Sequence, residues 1–202
     1  YLEYYRRMSL AAGGIPIFRF VHVHGDNVIK MRQTVSMSLA YGVKGFKWWV
    51  GWTMFDIHKV VETEPPPLSD IGREVGRCNN TMAAFSPSLA GARSVAVYHT
   101  APLPAGTREA PEDFWVRPSG EHIVMGLFEG ERGQRFIAVG NRDIGAVHRA
   151  DLRIEGEVSE VRQMDKESRQ WKEVPIRKEG SGYGISIEID KGDIELLEVI
   201  RK

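Results

Sequence analysis

The chain has 202 residues, enough for one large domain or two small ones, and its 27 basic and 27 acidic residues balance. That balance argues against a nucleic-acid binder, which carries a basic excess, and gives no hint of an anionic membrane partner. No apolar run approaches the roughly 18 residues that a membrane-spanning helix needs, and Cys78, the only cysteine, excludes an intrachain disulfide. The opening, Tyr-Leu-Glu-Tyr-Tyr-Arg-Arg-Met, reads as the middle of a helix, so a longer natural protein is expected, with any targeting segment N-terminal to this sequence.

The first hundred residues alternate between helical and strand patterns. Leu2, Tyr5, Met8 and Leu10 have a helical spacing that stops at Gly13-Gly14. Ile15 to His24 is rich in β-branched and aromatic residues and predicts a strand. Asp26 or Asn27 can cap the helix that follows, in which Val28, Met31, Val35 and Leu39 share a face and Gly42 marks the end. Val43 to Trp52 predicts a second strand. After a loop holding Pro65, Pro66 and Pro67, a helix begins near Ser69 or Asp70. Its apolar residues Ile71, Val75, Cys78, Met82, Phe85 and Leu89 recur at steps of three and four. Strands alternating with helices in this way predict βαβ units and a parallel sheet.

The pattern changes after Ser94 to Tyr98. Pro102 to Pro111 reads as a connector. Short strands follow at His122–Glu129, Arg135–Asn141, His148–Ile154, Glu157–Met164, Trp171–Val174, Gly184–Ile189 and Ile194–Ile200, with turns such as Asp190-Lys191-Gly192-Asp193 between them. Many short strands at this spacing predict an antiparallel sandwich. No internal repeat or low-complexity segment is visible.

Several runs carry a resemblance. They are Tyr4-Tyr5-Arg6, Gly14-Ile15-Pro16-Ile17-Phe18, His24-Gly25 and Ser38-Leu39-Ala40-Tyr41-Gly42-Val43-Lys44-Gly45-Phe46, followed by Ile71 to Asn79, Leu89-Ala90-Gly91 and Val97-Tyr98-His99-Thr100. Together they resemble clan A glycoside hydrolases related to the β-galactosidases. Gly126 to Glu129, Phe136 to Asp143 and Gly192 to Leu197 resemble strands of the accessory sandwiches in such enzymes. The resemblance implies the last βα units of a (β/α)8 barrel over residues 1–101 and an accessory antiparallel β-sandwich over 102–202. It also implies a glycosidase acting on a β-linked sugar, completed by the remaining N-terminal barrel half. No cofactor or metal is expected, and no nucleic-acid or membrane partner. An extracellular or periplasmic setting is favoured over a cytoplasmic one.

Barrel active sites lie at the C-terminal ends of the strands. For the first strand these positions are His22, His24 and Asp26; for the second they are Trp49, Trp52 and the loop with Asp56, His58, Glu62 and Glu64. Retaining glycosidases need two carboxyls about 5 Å apart. In the resembled clan the acid/base lies on the fourth strand, outside this sequence. The two strands here are either the sixth and seventh or the seventh and eighth. If Val43–Trp52 is the seventh, Asp56, Glu62 or Glu64 is the candidate nucleophile; otherwise Glu62 and Glu64 are solvated loop charges beside a proline run. His22, His24, Asp26, Trp49 and Trp52 are the candidate sugar-binding residues. His22 and His24 point the same way along their strand, where they can meet sugar hydroxyls, hold a carboxylate, bind a metal with Asp26 (for which the H-x-H spacing is a weak signal) or simply be satisfied by neighbours. Trp48 and Trp49 point to opposite faces, so one packs under the flanking helices. Trp49, in phase with Gly45 and Lys47, is the one expected at the barrel axis. The alternative is a non-catalytic carbohydrate-binding protein with a degenerate barrel, and a purely structural scaffold is the third reading.

Overall fold

A computed structural model of the chain describes residues 1–22, 27–49, 51–56 and 67–201, with the side chains of 51 and 52 left aside. The first helix, α1 (Leu2–Ala11), ends at Gly13 and Gly14, whose φ angles of 82° and 86° suit residues without a Cβ. Strand β1 (Phe18–His22) is followed by α2 (Val28–Ala40), and Asn27 accepts the Lys30 amide as its cap. Strand β2 (Gly45–Trp49) then pairs in parallel with β1, in the register Phe18 to Gly45 through His22 to Trp49. Both strands are shorter than the apolar runs that predict them. A 3-10 turn (Gly51–Met54) leads out of β2, and α3 (Asp70–Leu89) starts on Ser69, whose hydroxyl accepts the Gly72 amide at 3.1 Å.

The predicted helical faces lie where the spacing puts them for α2 and α3. Met31, Val35 and Leu39 are buried on α2, as are Val75, Cys78, Phe85 and Leu89 on α3. The outcome for α1 differs. Tyr5 and Met8 are exposed and the buried side chain is Arg6, which forms an ion pair with Glu3 at 2.8 Å. Its Nη1 also reaches the Val95 carbonyl of the next strand at 3.5 Å.

That strand, β3 (Arg93–His99), belongs to the antiparallel part of the fold. It pairs with β5 (Ile123–Glu129) and forms one edge of a six-stranded sheet. The other strands of this sheet are β6 (Arg135–Asn141), β8 (Val158–Met164), β9 (Trp171–Glu173) and β12 (Ile194–Arg201), in the order β3-β5-β6-β12-β8-β9. A four-stranded sheet packs on it, in the order β10-β11-β7-β4, from β4 (Val116–Ser119), β7 (His148–Glu155), β10 (Arg177–Glu179) and β11 (Gly182–Ile189). Strands β4 and β10 carry no alternating apolar signal, since β4 contains Pro118 and every residue of β10 is exposed. The antiparallel sandwich is thus present. Among the described residues the parallel part is a single pair of strands with its helices.

The molecule is layered as parallel pair, helices α2 and α3, six-stranded sheet, four-stranded sheet. Strand β5 is apolar almost throughout because both its faces are covered. Val124 and Phe128 point to the helices, while Ile123, Met125 and Leu127 point into the sandwich. Beneath α2 the sheet carries Gly126, where an added Cβ would stand 2.0 Å from the Ala40 carbonyl oxygen. The helix therefore lies directly against the strand backbone.

Candidate functional site

Alternation along β1 and β2 sorts their side chains onto two faces. Arg19, Val21, Phe46 and Trp48 face the helices. The Trp48 indole donates to Asn79 Oδ1 on α3 at 3.0 Å, and Arg19 Nη1 donates to Ser38 Oγ on α2 at 2.6 Å. Phe18, Phe20, His22, Gly45, Lys47 and Trp49 form the opposite, open face. Three large rings there are solvent-exposed: Phe18 at 70%, Phe20 at 59% and Trp49 at 51%. Phe20 and Trp49 meet edge to face with centroids 6.3 Å apart, and Lys47 Nζ lies 5.5 Å from the Phe20 ring centre. His22 is the cross-strand partner of Trp49. Two of the sequence-predicted residues, His22 and Trp49, therefore stand side by side at the C-terminal end of the pair.

The 3-10 turn after β2 carries the chain back toward α3. Phe55 bridges to Leu68, the Asp56 amide donates to the Pro67 carbonyl at 2.8 Å, and the Ser69 hydroxyl donates to Thr53 O at 2.7 Å. Gly72 lets the first turn of α3 approach, since a Cβ there would stand 2.1 Å from Met54 O. Asp56 is half-buried beside this bridge. Glu62 and Glu64, like His24, Asp26 and the side chain of Trp52, lie outside the described residues.

Sequence reasoning passed over a second feature. Tyr41, at the end of α2, and His99, at the end of β3, belong to two of the motifs that carry the resemblance. Their side chains meet at 2.8 Å, Tyr41 Oη to His99 Nε2. His99 is buried and its Nδ1 has no hydrogen-bond partner among the described residues. Burial, reinforced by the nearby Arg142 cation, lowers its pKa to about 4, so the ring is neutral at pH 7. Both residues line a cleft of about 720 Å³ between α1, α2 and the 104–107 connector, which also presents Arg7, Arg19 and Arg142. The signal in the sequence was the pair of motifs, but only the antiparallel placement of β3 joins them.

The remaining tryptophans have structural partners. The guanidinium groups of Arg135 and Arg201 each lie 5.1 Å from the Trp115 ring centre, and Trp171 stacks on Phe136. Cys78 is buried, and desolvation, with Glu74 adding to it, pushes its thiol up to about 12. It is therefore no nucleophile.

The chain matches no protein-family model and no curated protein sequence. Solved structures similar to it include the catalytic domain of GH30 xylanase C from Talaromyces cellulolyticus, at 12% identity and a TM-score of 0.42, covering 93% of this chain and 38% of that one. A rhamnosidase from Novosphingobium sp. PP1Y aligns at 12% identity and a TM-score of 0.36, over 91% of this chain and 17% of that one. CelM2, a bifunctional glucanase-xylanase from a metagenome library, aligns at 12% identity and a TM-score of 0.35, over 100% of this chain and 47% of that one. The chain spans less than half the length of each. Likeness of this extent assigns neither fold nor function by itself.

Proposed function

We propose that the chain is part of a carbohydrate-active protein of the glycoside hydrolase type, acting on a β-linked sugar of an oligo- or polysaccharide. The observation that carries this reading is the exposed ring surface of Phe20 and Trp49 beside His22 and Lys47. An indole stacks on the C–H face of a pyranose while polar neighbours take its hydroxyls, and this face offers both kinds of group. The sequence resemblance to clan A glycosidases agrees with it. In this reading further βα units, N-terminal to the sequence, complete a barrel around that face and supply the acid/base carboxyl. The nucleophile is Glu62, Glu64 or Asp56, and the antiparallel sandwich, from β3 onward, forms the accessory domain. Fold alone does not specify activity, so the test is functional.

The intact longer protein is expected to hydrolyse at least one member of a panel of aryl β-glycosides. One of Asp56→Asn, Glu62→Gln and Glu64→Gln should abolish turnover while leaving binding in place. Trp49→Ala should raise KM about 10-fold, equivalent to about 1.4 kcal/mol, with kcat little changed. No hydrolysis across the panel, with glycan binding retained, would favour a second reading, a non-catalytic carbohydrate-binding protein. One observation speaks for that reading: the open face, among the described residues, bears no carboxylate. Neither binding nor turnover would sink both.

A further inference from the structure

We propose that His122, Asp143 and His148 form a binding site for a divalent transition-metal ion, zinc first, at the end of the sandwich where the β4–β5 and β6–β7 turns meet. One donor atom from each lies within 4.8 Å of the others. His148 Nε2 stands 3.0 Å from Asp143 Oδ2, and the rings of His122 and His148 lie with centroids 5.0 Å apart. Two imidazoles and a carboxylate are donors that zinc and its neighbours in the series accept, at about 2.0–2.2 Å each. Ligand atoms around such an ion stand roughly 3.3 Å apart, so modest side-chain rotation closes the set. Three protein donors leave a fourth position for water or a ligand group.

The three residues come from two turns, His122 from β4–β5 and Asp143 with His148 from β6–β7, and the backbone holds them together. The His122 amide donates to Ala101 O at 2.8 Å, and its carbonyl accepts the Arg142 amide at 2.7 Å. Asn141, fully buried, accepts the Asp143 amide on Oδ1 at 2.8 Å and donates through Nδ2 to Ala146 O, also at 2.8 Å. Asp143 Oδ1 is taken by the Gly145 amide at 2.7 Å, which fixes the carboxylate and turns Oδ2 toward His148. The adjacent cation, Arg142, is engaged on the carbonyls of Thr100 and Pro102 at 2.7 and 2.9 Å.

The backbone at His122 is left-handed, as a tight turn requires. Its φ is +59°, a left-handed conformation in which glycine or asparagine costs less. An imidazole in that position, facing a second imidazole and a carboxylate, fits a ligand role. All three residues are half-buried at the sandwich end, open to an ion from solvent. An ion there would clip two turns together, and the site is independent of the β1–β2 face.

The experiment is a calorimetric zinc titration of the chelator-treated full chain, with the cobalt(II) absorption spectrum as a readout of ligand geometry. One ion per chain and a higher melting temperature on binding are expected. His122→Asn suits the left-handed backbone, so it should leave the metal-free melting temperature unchanged or higher. It should weaken zinc affinity more than about 10-fold, beyond what loss of an outer hydrogen-bond partner costs at the lower end. Asp143→Asn keeps the Gly145 contact and should weaken it likewise. Absence of zinc binding would overturn the proposal. So would undiminished binding in His122→Asn, because the ion would then sit on another of the six histidines.

Discussion

His99 shows how one side chain couples this fold to pH. Burial, followed by the Arg142 charge, lowers its pKa from 6.5 to about 4. Between those values the unfolded chain takes up a proton that the folded chain refuses, so stability rises with pH and is lost on acidification from pH 6.5 toward 4. The full loss amounts to roughly 3 kcal/mol at most. His99→Gln offers Tyr41 an amide and cannot ionise. Its thermal midpoint should therefore fall less between pH 7 and about 4.5 than that of the parent chain; parallel pH profiles would show that His99 is not the sensor. Some residue-level assignments were legible beforehand. The alternation that separates Trp48 from Trp49 is a property of any strand. The meetings of Tyr41 with His99, and of His122 with Asp143 and His148, were not, because sheet pairing joins segments far apart in sequence.

At the scale of elements, caps and periodicity identify α2 and α3 because the rules that start and stop helices are local. Asn27 and Ser69 act as caps and Gly42 closes α2 with a φ of 83°. The α1 pattern misled because Tyr5 and Met8 have a helical spacing but are covered by no layer among the described residues, while Arg6 turns inward to Glu3 and β3. Strand β5 depends on the contact of Gly126 with the last turn of α2. Gly126→Val would drive a side chain into the Ala40 carbonyl, which belongs to a backbone and cannot swing aside. A loss of about 1–3 kcal/mol or more is expected in denaturant unfolding. Gly133→Val, at an exposed turn with no atom within 4 Å of its Cβ position, controls for size, although its φ of 78° adds local backbone strain. Equal losses would mean that the close approach is not what makes Gly126 sensitive.

Across the whole molecule, a charged seam ties the helical layer to the sandwich. Arg32 on α2 grips Glu74 on α3 with two bonds of 2.6 and 2.7 Å and reaches Asp190 in the β11–β12 turn at 3.1 Å. Arg77 binds Asp193 at 2.7 Å, and Lys166 joins Asp193 and Glu195 at 3.0 and 2.7 Å. Burial opposes ionisation of Asp193, yet Lys166, the Ile194 amide and Arg77 together hold its carboxyl below the usual range. Removing Glu74 leaves the buried Arg32 guanidinium with only the half-exposed Asp190 carboxylate and the Lys191 carbonyl as partners, so Glu74→Leu should cost about 3 kcal/mol. The double change Arg32→Met with Glu74→Leu should recover most of that loss. Additive losses in the double variant would show that the two are not energetically coupled.

Sequence alone determined the helices, most of the strands and the inward faces of α2 and α3. Each of these depends on the order of apolar residues within a dozen positions, which sets burial through fixed backbone periods. Only the tertiary structure decided that β3 pairs with β5, that β4 and β10 are strands and that His22 stands beside Trp49. The same holds for the meeting of His122, Asp143 and His148. Those outcomes depend on pairing between remote segments, where hydrogen bonds to a neighbouring strand outweigh the weak preferences of short, mostly polar or proline-containing runs.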